Sequence, residues 1–191
     1  MNLAIIGATG NVGRKIIEVL EQSSLQVDNL IPIASKKSTG KKILFNKKEF
    51  VIESLEKYDF SRAEFTIFAA GSDIAKEWVI KASKKTIVID NSSYYRMEKD
   101  IPLVVPEVNA AALKHHNNII SNPNCSTIQM VLALKPLHDE FKVKRVVVST
   151  YQAVSGAGKV PTDELFNQTK DFLEGKEIIS KNFTKQIAFN L

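Results

Sequence analysis

This chain is poor in sulfur and imidazole. Among 191 residues there is one cysteine, Cys125, and there are three histidines. A single cysteine cannot close an internal disulfide, which fits a reducing compartment, here the cytoplasm, and leaves the thiol free for chemistry. Long apolar runs are missing too. No stretch approaches the ~20 residues of a membrane span, and the opening "MNLAIIGATG" has no basic leader segment, so neither a membrane anchor nor a secretory leader is expected. Acid is absent between Lys36 and Lys48, where six lysines fall together (36, 37, 41, 42, 47 and 48). That patch accounts for the whole net charge of +5 and leaves the remainder near neutral, which argues against a general nucleic-acid-binding face. No internal repeat and no low-complexity tract is present. The composition, 44% hydrophobic and 25% charged, is that of a globular domain.

Short apolar runs alternate with helical patterns. "LAIIG", "LIPIAS", "FTIFAAG", "TIVIDNSS" and "NIISN" read as strands ending in small or polar residues, with "NVGRKIIEVLEQ" and "DIAKEWVIKASKK" as helices between them. A short helix is expected over Ala110–His116. This alternation predicts an α/β fold, a Rossmann-type, doubly wound, mostly parallel sheet. The pattern then changes. A helix through "TIQMVLALKPLHDEF", a long strand "VKRVVVSTYQAV", a glycine-rich turn "SGAG" and a helix around "TDELFNQTKDFLEG" follow. A domain change is therefore placed near Cys125, giving a nucleotide-binding unit over 1–124 and the beginning of an α+β catalytic and dimerisation unit over 125–191.

"GATGNVG" sets Gly7, Gly10 and Gly13 between the first strand and the first helix. Glycine there permits a tight turn, close approach of backbone to a pyrophosphate, and close packing of helix on strand. The free N–H groups at the helix start then face the anion. NAD sites usually carry an acid about 20 residues further on. Here the second strand ends in "IASKKSTGKK", with Ser35, Lys36, Lys37 and Ser38 and no carboxylate, which favours the 2′-phosphate of NADP.

Two nucleophile patterns compete. Tyr95 and Lys99 have Tyr-x-x-x-Lys spacing, but that pair works on one helical face, and "DNSSYYRMEKDIP" starts with turn formers and soon meets Pro102. Cys125 is better placed. Pro123 and Asn124 shape a turn, Ser126 and Thr127 are good helix starters, and an apolar helical run follows. Free N–H groups at such a terminus stabilise a thiolate and can hold the oxyanion formed when sulfur attacks a carbonyl.

The blocks "GATGNVG", "VIDNSSYYRMEKDIPLVVPEVN", "SNPNCSTIQ" and "STYQAVSGAGK", in this order, resemble the aspartate-semialdehyde dehydrogenase family over essentially the whole chain. Related acyl-phosphate reductases share the thioester chemistry but differ around the cysteine. The resemblance implies that Cys125 attacks L-aspartyl 4-phosphate and holds the acyl group as a thioester, which NADPH reduces to L-aspartate 4-semialdehyde. That product feeds diaminopimelate, lysine, methionine, threonine and isoleucine biosynthesis. It further implies that Gln152 orients the acyl group, that Arg96 binds the substrate phosphate and that Asn124 helps hold the substrate. Thr9, Gly10, Asn11 and Val12 would bind the pyrophosphate, Ser35, Lys37 and Ser38 the 2′-phosphate, and Ser155 and Gly156 would lie near the nicotinamide. Lys37 stands where many relatives have arginine. The implied partners are small molecules (aspartyl phosphate, aspartate semialdehyde, phosphate) and, at full length, a second subunit in a homodimer. Neither nucleic acid, membrane nor metal is implied.

The family's acid–base histidine and two further cationic substrate ligands match nothing in this chain, and His115, His116 and His138 occupy other positions. An incomplete enzyme, inactive alone, is therefore expected, with a catalytically silent NADP-binding fragment as the alternative.

Overall fold

The run Asn2–Ile6 forms β1, and its neighbours build outward from it on both sides. In a computed structural model, which describes residues 1–190, six strands make one sheet in the order β5-β2-β1-β6-β7-β8, with every pairing parallel. They are β2 (Asn29–Ala34), β5 (Glu53–Ser54), β6 (Phe65–Phe68), β7 (Ile87–Asp90) and β8 (Ile119–Ser121). Between them run α1 (Asn11–Gln22), α2 (Ser72–Ser83) and a one-turn α3 (Pro106–Asn109) followed by a 3-10 helix at Ala110–His115. The doubly wound sheet expected from the alternation is present.

Alternation along β1 divides the core. Leu3 and Ile5 pack with Ile17 of α1, while Ala4 and Ile6 pack with Ala75 and Val79 of α2. Successive side chains point to opposite faces of a strand, so a central strand covered on both sides reads as a continuous apolar run.

Between β2 and β5 lies a hairpin that the sequence reading passed over, β3 (Lys42–Phe45) and β4 (Lys48–Val51). Its two-residue turn holds Asn46 at φ 48° and Lys47 at φ 63°. Asparagine tolerates that left-handed region, and Asn46 between apolar alternations was the available signal. Half of the lysine patch, Lys42, Lys47 and Lys48, is thus the surface of a hairpin.

The core also contains an orphan. Tyr58 is buried beside Phe60, ring centroids 5.1 Å apart, and its hydroxyl has no hydrogen-bond partner among the described residues. Burial pushes its pKa up to about 12. A buried donor left unpaired costs ~1–3 kcal/mol. Tyr58→Phe keeps the ring and removes the orphan, and is expected to raise stability by about 1 kcal/mol. Urea unfolding monitored by circular dichroism reads this directly; a lower midpoint would show that the hydroxyl has a partner.

α4 (Cys125–Phe141) leaves the sheet, and α5 (Lys159–Leu173) follows a 3-10 turn at Val154–Ala157. On α5, Glu164 accepts the backbone N–H groups of Lys181 and Asn182, and Gln168 Oε1 accepts those of Ile187 and Ala188. Two side chains one helical turn apart thereby pin the tail to α5. The expected long strand over "VKRVVVSTYQAV" is not formed: residues 142–153 have no regular structure, and Val147 and Tyr151 are 82% and 84% exposed. A strand exists only through hydrogen bonds to a neighbour, and no edge among the described residues is aligned with this segment.

Candidate functional site

The strand order reverses between β1 and β6, and ligands of open parallel sheets bind at that switch point, beyond the carboxyl ends of the strands. Gly7 and Ala69, which follow those two strands, lie on the wall of a cleft of about 1030 Å³. Gly7 has φ +86°, and a Cβ there would meet the Ala69 carbonyl oxygen at 2.6 Å. At Gly13 a Cβ would stand 2.2 Å from the Gly7 oxygen, so α1 starts against the turn only because Gly13 is bare. Gly10 donates its N–H to the Gly7 oxygen at 2.9 Å, closing the turn. The first residues of α1 carry no acid and no side-chain cap, so their N–H groups remain free for an anion.

Of the residues singled out from the sequence, Gly7, Thr9, Gly10, Asn11, Val12, Ser35, Arg96, Asn124 and Gly156 line this one cleft. Gly13, Lys37, Ser38, Cys125, Gln152 and Ser155 do not. Gly13 acts from behind by packing, and Lys37 and Ser38 sit in an exposed or half-exposed 3-10 turn, Lys36–Ser38. The sequence reading missed Trp78 and Glu77 of α2, Glu56, and the serines Ser72 and Ser93, whose hydroxyls lie 3.0 Å apart. Nothing in a single sequence marked them, because they come from α2 and from the turns after β5 and β7, which only the sheet brings together. Glu56 puts a carboxylate in the same cleft as Ser35, although the strand leading to Ser35 carries none.

Cys125 is the first residue of α4 and is exposed. Asn124, not Ser126 or Thr127, caps the helix: its Oδ1 accepts the Ser126 N–H at 3.0 Å and the Ser126 hydroxyl at 2.6 Å. That assigns the amide. With Oδ1 committed to the helix, Nδ2 is the donor to Gln152 Oε1, at 3.2 Å. One asparagine thus ends the loop before Cys125, caps α4 and draws Gln152 across from a segment 28 residues away.

Arg96 arrives from the turns after β7. Its Nε donates to the Asn122 carbonyl at 2.9 Å and Nη2 to the Asn91 carbonyl at 3.3 Å, leaving the rest of the guanidinium for the cleft. Asn122 Nδ2 also donates to Asn91 Oδ1 at 2.7 Å, locking the β7 and β8 ends together. Beneath them Asp90 is fully buried. Burial raises its pKa above the usual carboxylate value, against the lowering effects of the Ser92 hydroxyl and N–H and of the Arg96 charge.

Tyr95 is buried, its hydroxyl pKa raised chiefly by that burial, and residues 92–100 form bends and turns, so Tyr95 and Lys99 share no helical face. His115, His116 and His138 line neither this cleft nor the smaller one beside it. Among the described residues no group of three or more His, Cys, Asp or Glu is placed to hold a metal, and no helix is long and apolar enough to cross a membrane.

Comparison with known proteins gives the same outline. The family model "Semialdehyde dehydrogenase, NAD binding domain" matches residues 2–116, and "Semialdehyde dehydrogenase, dimerisation domain" matches 134–191. An aspartate-semialdehyde dehydrogenase from Aquifex aeolicus is 51% identical over 98% of this chain and 57% of its own length. The crystal structure of aspartate semialdehyde dehydrogenase II from Vibrio cholerae, complexed with ASA, superposes with a TM-score of 0.92 at 46% identity, covering 99% of this chain and 57% of that one. A Candida albicans aspartate semialdehyde dehydrogenase, solved with NADP, has a TM-score of 0.59 at 26% identity over 74% of this chain and 48% of its own. The chain therefore spans little more than half the length of the relatives it matches.

Proposed function

Since this chain belongs to the semialdehyde dehydrogenase family, we propose that it is the dinucleotide-binding and thioester-forming portion of an NADP-dependent aspartate-semialdehyde dehydrogenase, working in the cytoplasm on small molecules and as a dimer in its full-length form. The observation that carries this reading is the Asn124–Gln152 hydrogen bond at the N-terminus of α4, which sets an amide beside the one thiol at the edge of the dinucleotide cleft.

The roles are those the family resemblance implies, and the geometry supports them. Cys125 Sγ, as thiolate, attacks the acyl carbon of aspartyl phosphate. The C–O bond to phosphate breaks and phosphate leaves with the electron pair, so that a thioester remains. Free N–H groups at the start of α4 face the oxyanion formed on the way. Gln152, tethered by Asn124, orients the acyl group, and the unused N–H groups of Arg96 bind the departing phosphate. Gly156, with Ser155 beside it, would lie toward the nicotinamide, and Gly7 to Gly13 would form the pyrophosphate cradle. The cradle fits that group, since the bare Gly7 and Gly13 allow the turn to close tightly and the first N–H groups of α1 are unpaired. When bound, NADPH supplies the hydride that converts the thioester into the aldehyde.

The test is an assay of the reverse reaction, oxidation of aspartate semialdehyde that requires both phosphate and NADP⁺. The 191-residue chain alone is expected to bind NADPH yet turn over slowly, because a positioned acid–base group contributes ~10²–10⁴-fold and none of its histidines reaches the cleft. Adding the remainder of a relative should restore the rate. Oxidation that ignores phosphate, or a chain that binds neither NADPH nor NADH, would overturn the proposal.

A further inference from the structure

Asp90 is a carboxylate in an apolar place. It ends β7, is fully buried, and shares its face of the sheet with Phe68, Val88 and Ile119. Taking a charge out of water is costly, and packing alone favours an apolar side chain there. Ser121, its partner in register on β8, brings no relief, since its own hydroxyl is buried without a hydrogen-bond partner among the described residues. Both carboxylate oxygens are instead spent on one residue. Oδ1 accepts the Ser92 N–H at 3.0 Å, and Oδ2 accepts the Ser92 hydroxyl at 2.7 Å. With its proton given to Asp90, the Ser92 oxygen accepts the Tyr94 N–H at 3.1 Å. This relay fixes the chain from 90 to 94, where neither helix nor strand does so.

Two residues further on stands Arg96. Its Nε and Nη2 bonds to the Asn122 and Asn91 carbonyls use two of the five guanidinium N–H groups, and three are left for an anion. Those two carbonyls are themselves tied to Asp90. Asn91 is the next residue in the chain, its N–H held by the Phe68 carbonyl at 3.0 Å, and the Asp90 carbonyl accepts the Asn122 N–H at 2.9 Å. Asp90 does not line the cleft, whereas Asn91, Ser92, Ser93 and Arg96 do. We infer that Asp90 is a positioning residue for phosphate binding: by way of Ser92 it sets the turn from which Arg96 reaches the cleft, with three N–H groups free for the substrate phosphate. The inference deepens the proposed function and rests on it, because it takes the role of Arg96 from that reading. The carboxylate touches neither substrate nor cofactor and acts only through the turn.

Steady-state kinetics of phosphate-dependent aspartate-semialdehyde oxidation by the complemented enzyme tests it, with Asp90→Asn, Ser92→Ala, Arg96→Lys and the double variant Asp90→Asn/Arg96→Lys beside the wild type. Asparagine keeps the size and loses the charge and one acceptor, while alanine cuts the relay and leaves the carboxylate. Asp90→Asn and Ser92→Ala should each raise the KM for phosphate about tenfold. The KM for NADP⁺ and the rate at saturating phosphate should stay near the wild-type values, the pattern of a lost binding interaction and not of a damaged fold. Added to Arg96→Lys, Asp90→Asn should raise the phosphate KM no further, because it acts through that side chain. A fall in rate with the phosphate KM unchanged would assign Asp90 and Ser92 to the fold alone and overturn the inference. Effects of Asp90→Asn and Arg96→Lys that simply multiply would overturn it too. Both outcomes leave the proposed function intact. A phosphate KM untouched by Arg96→Lys, in contrast, would remove the phosphate role of Arg96 from that reading, and the inference with it.

Discussion

Cys125→Ser is expected to lower turnover roughly a thousandfold or more in the complemented enzyme, while dinucleotide affinity is retained. Serine keeps the shape and removes the thiolate, and a hydroxyl without a base is a far weaker nucleophile at neutral pH. The site has no substitute: Cys125 is the chain's one cysteine, and Tyr95 is buried in turns. Two measurements separate this from a folding defect. Mass spectrometry after mixing with aspartyl phosphate should find an acyl adduct on Cys125 in the wild type and none in the variant. Tyr95→Phe should retain turnover. If Tyr95→Phe is the inactivating change, the thioester reading fails.

Gly13→Ala is expected to be the most damaging single methyl group in the nucleotide-binding region. Its Cβ would lie 2.2 Å from the Gly7 oxygen and 2.9 Å from the Ala8 Cα, both backbone atoms that cannot swing aside. α1 must withdraw from the turn, at a cost of about 3 kcal/mol, the upper end for overpacking. Withdrawal also spreads the N–H groups that converge on the pyrophosphate, so NADPH binding should be lost even where the protein remains folded. Thermal unfolding with and without NADPH checks both parts. A variant that melts like the wild type, and is stabilised by NADPH to the same extent, would show that the third glycine has no packing role.

Much of the nucleotide-binding region was legible because its rules are local. β1 reads as a continuous apolar run since a central parallel strand is covered on both faces, and the glycines of "GATGNVG" are required by backbone geometry over seven residues. The start of α4 was legible to within two residues. Asn124 was read as part of a turn rather than as the cap, because capping ability is shared among Asn, Ser and Thr and only the backbone angles choose between neighbours.

Other features depended on what lies across the fold. Val146, Val147 and Val148 have strong strand propensity and still form no strand, because pairing is a property of two segments and no aligned edge is present among the described residues. Glu56, Glu77 and Trp78 enter the cleft from loops and a helix far apart in sequence. Lys36, Lys37, Lys41 and Lys42 looked equivalent in the sequence. Tertiary structure separated them: Lys41 and Lys42, at the start of the hairpin, line a smaller cleft with residues of α1, while Lys36 and Lys37 lie in a 3-10 turn outside both clefts. The sequence by itself determined five of the sheet's six strands (all but β5), the glycine cradle and the identity of the thiol, since each follows from period, backbone freedom or scarcity. Which carboxylates, cations and amides line the cleft was decided only by the tertiary structure, because a side chain's reach depends on the element packed opposite it, and that neighbour is supplied by distant sequence.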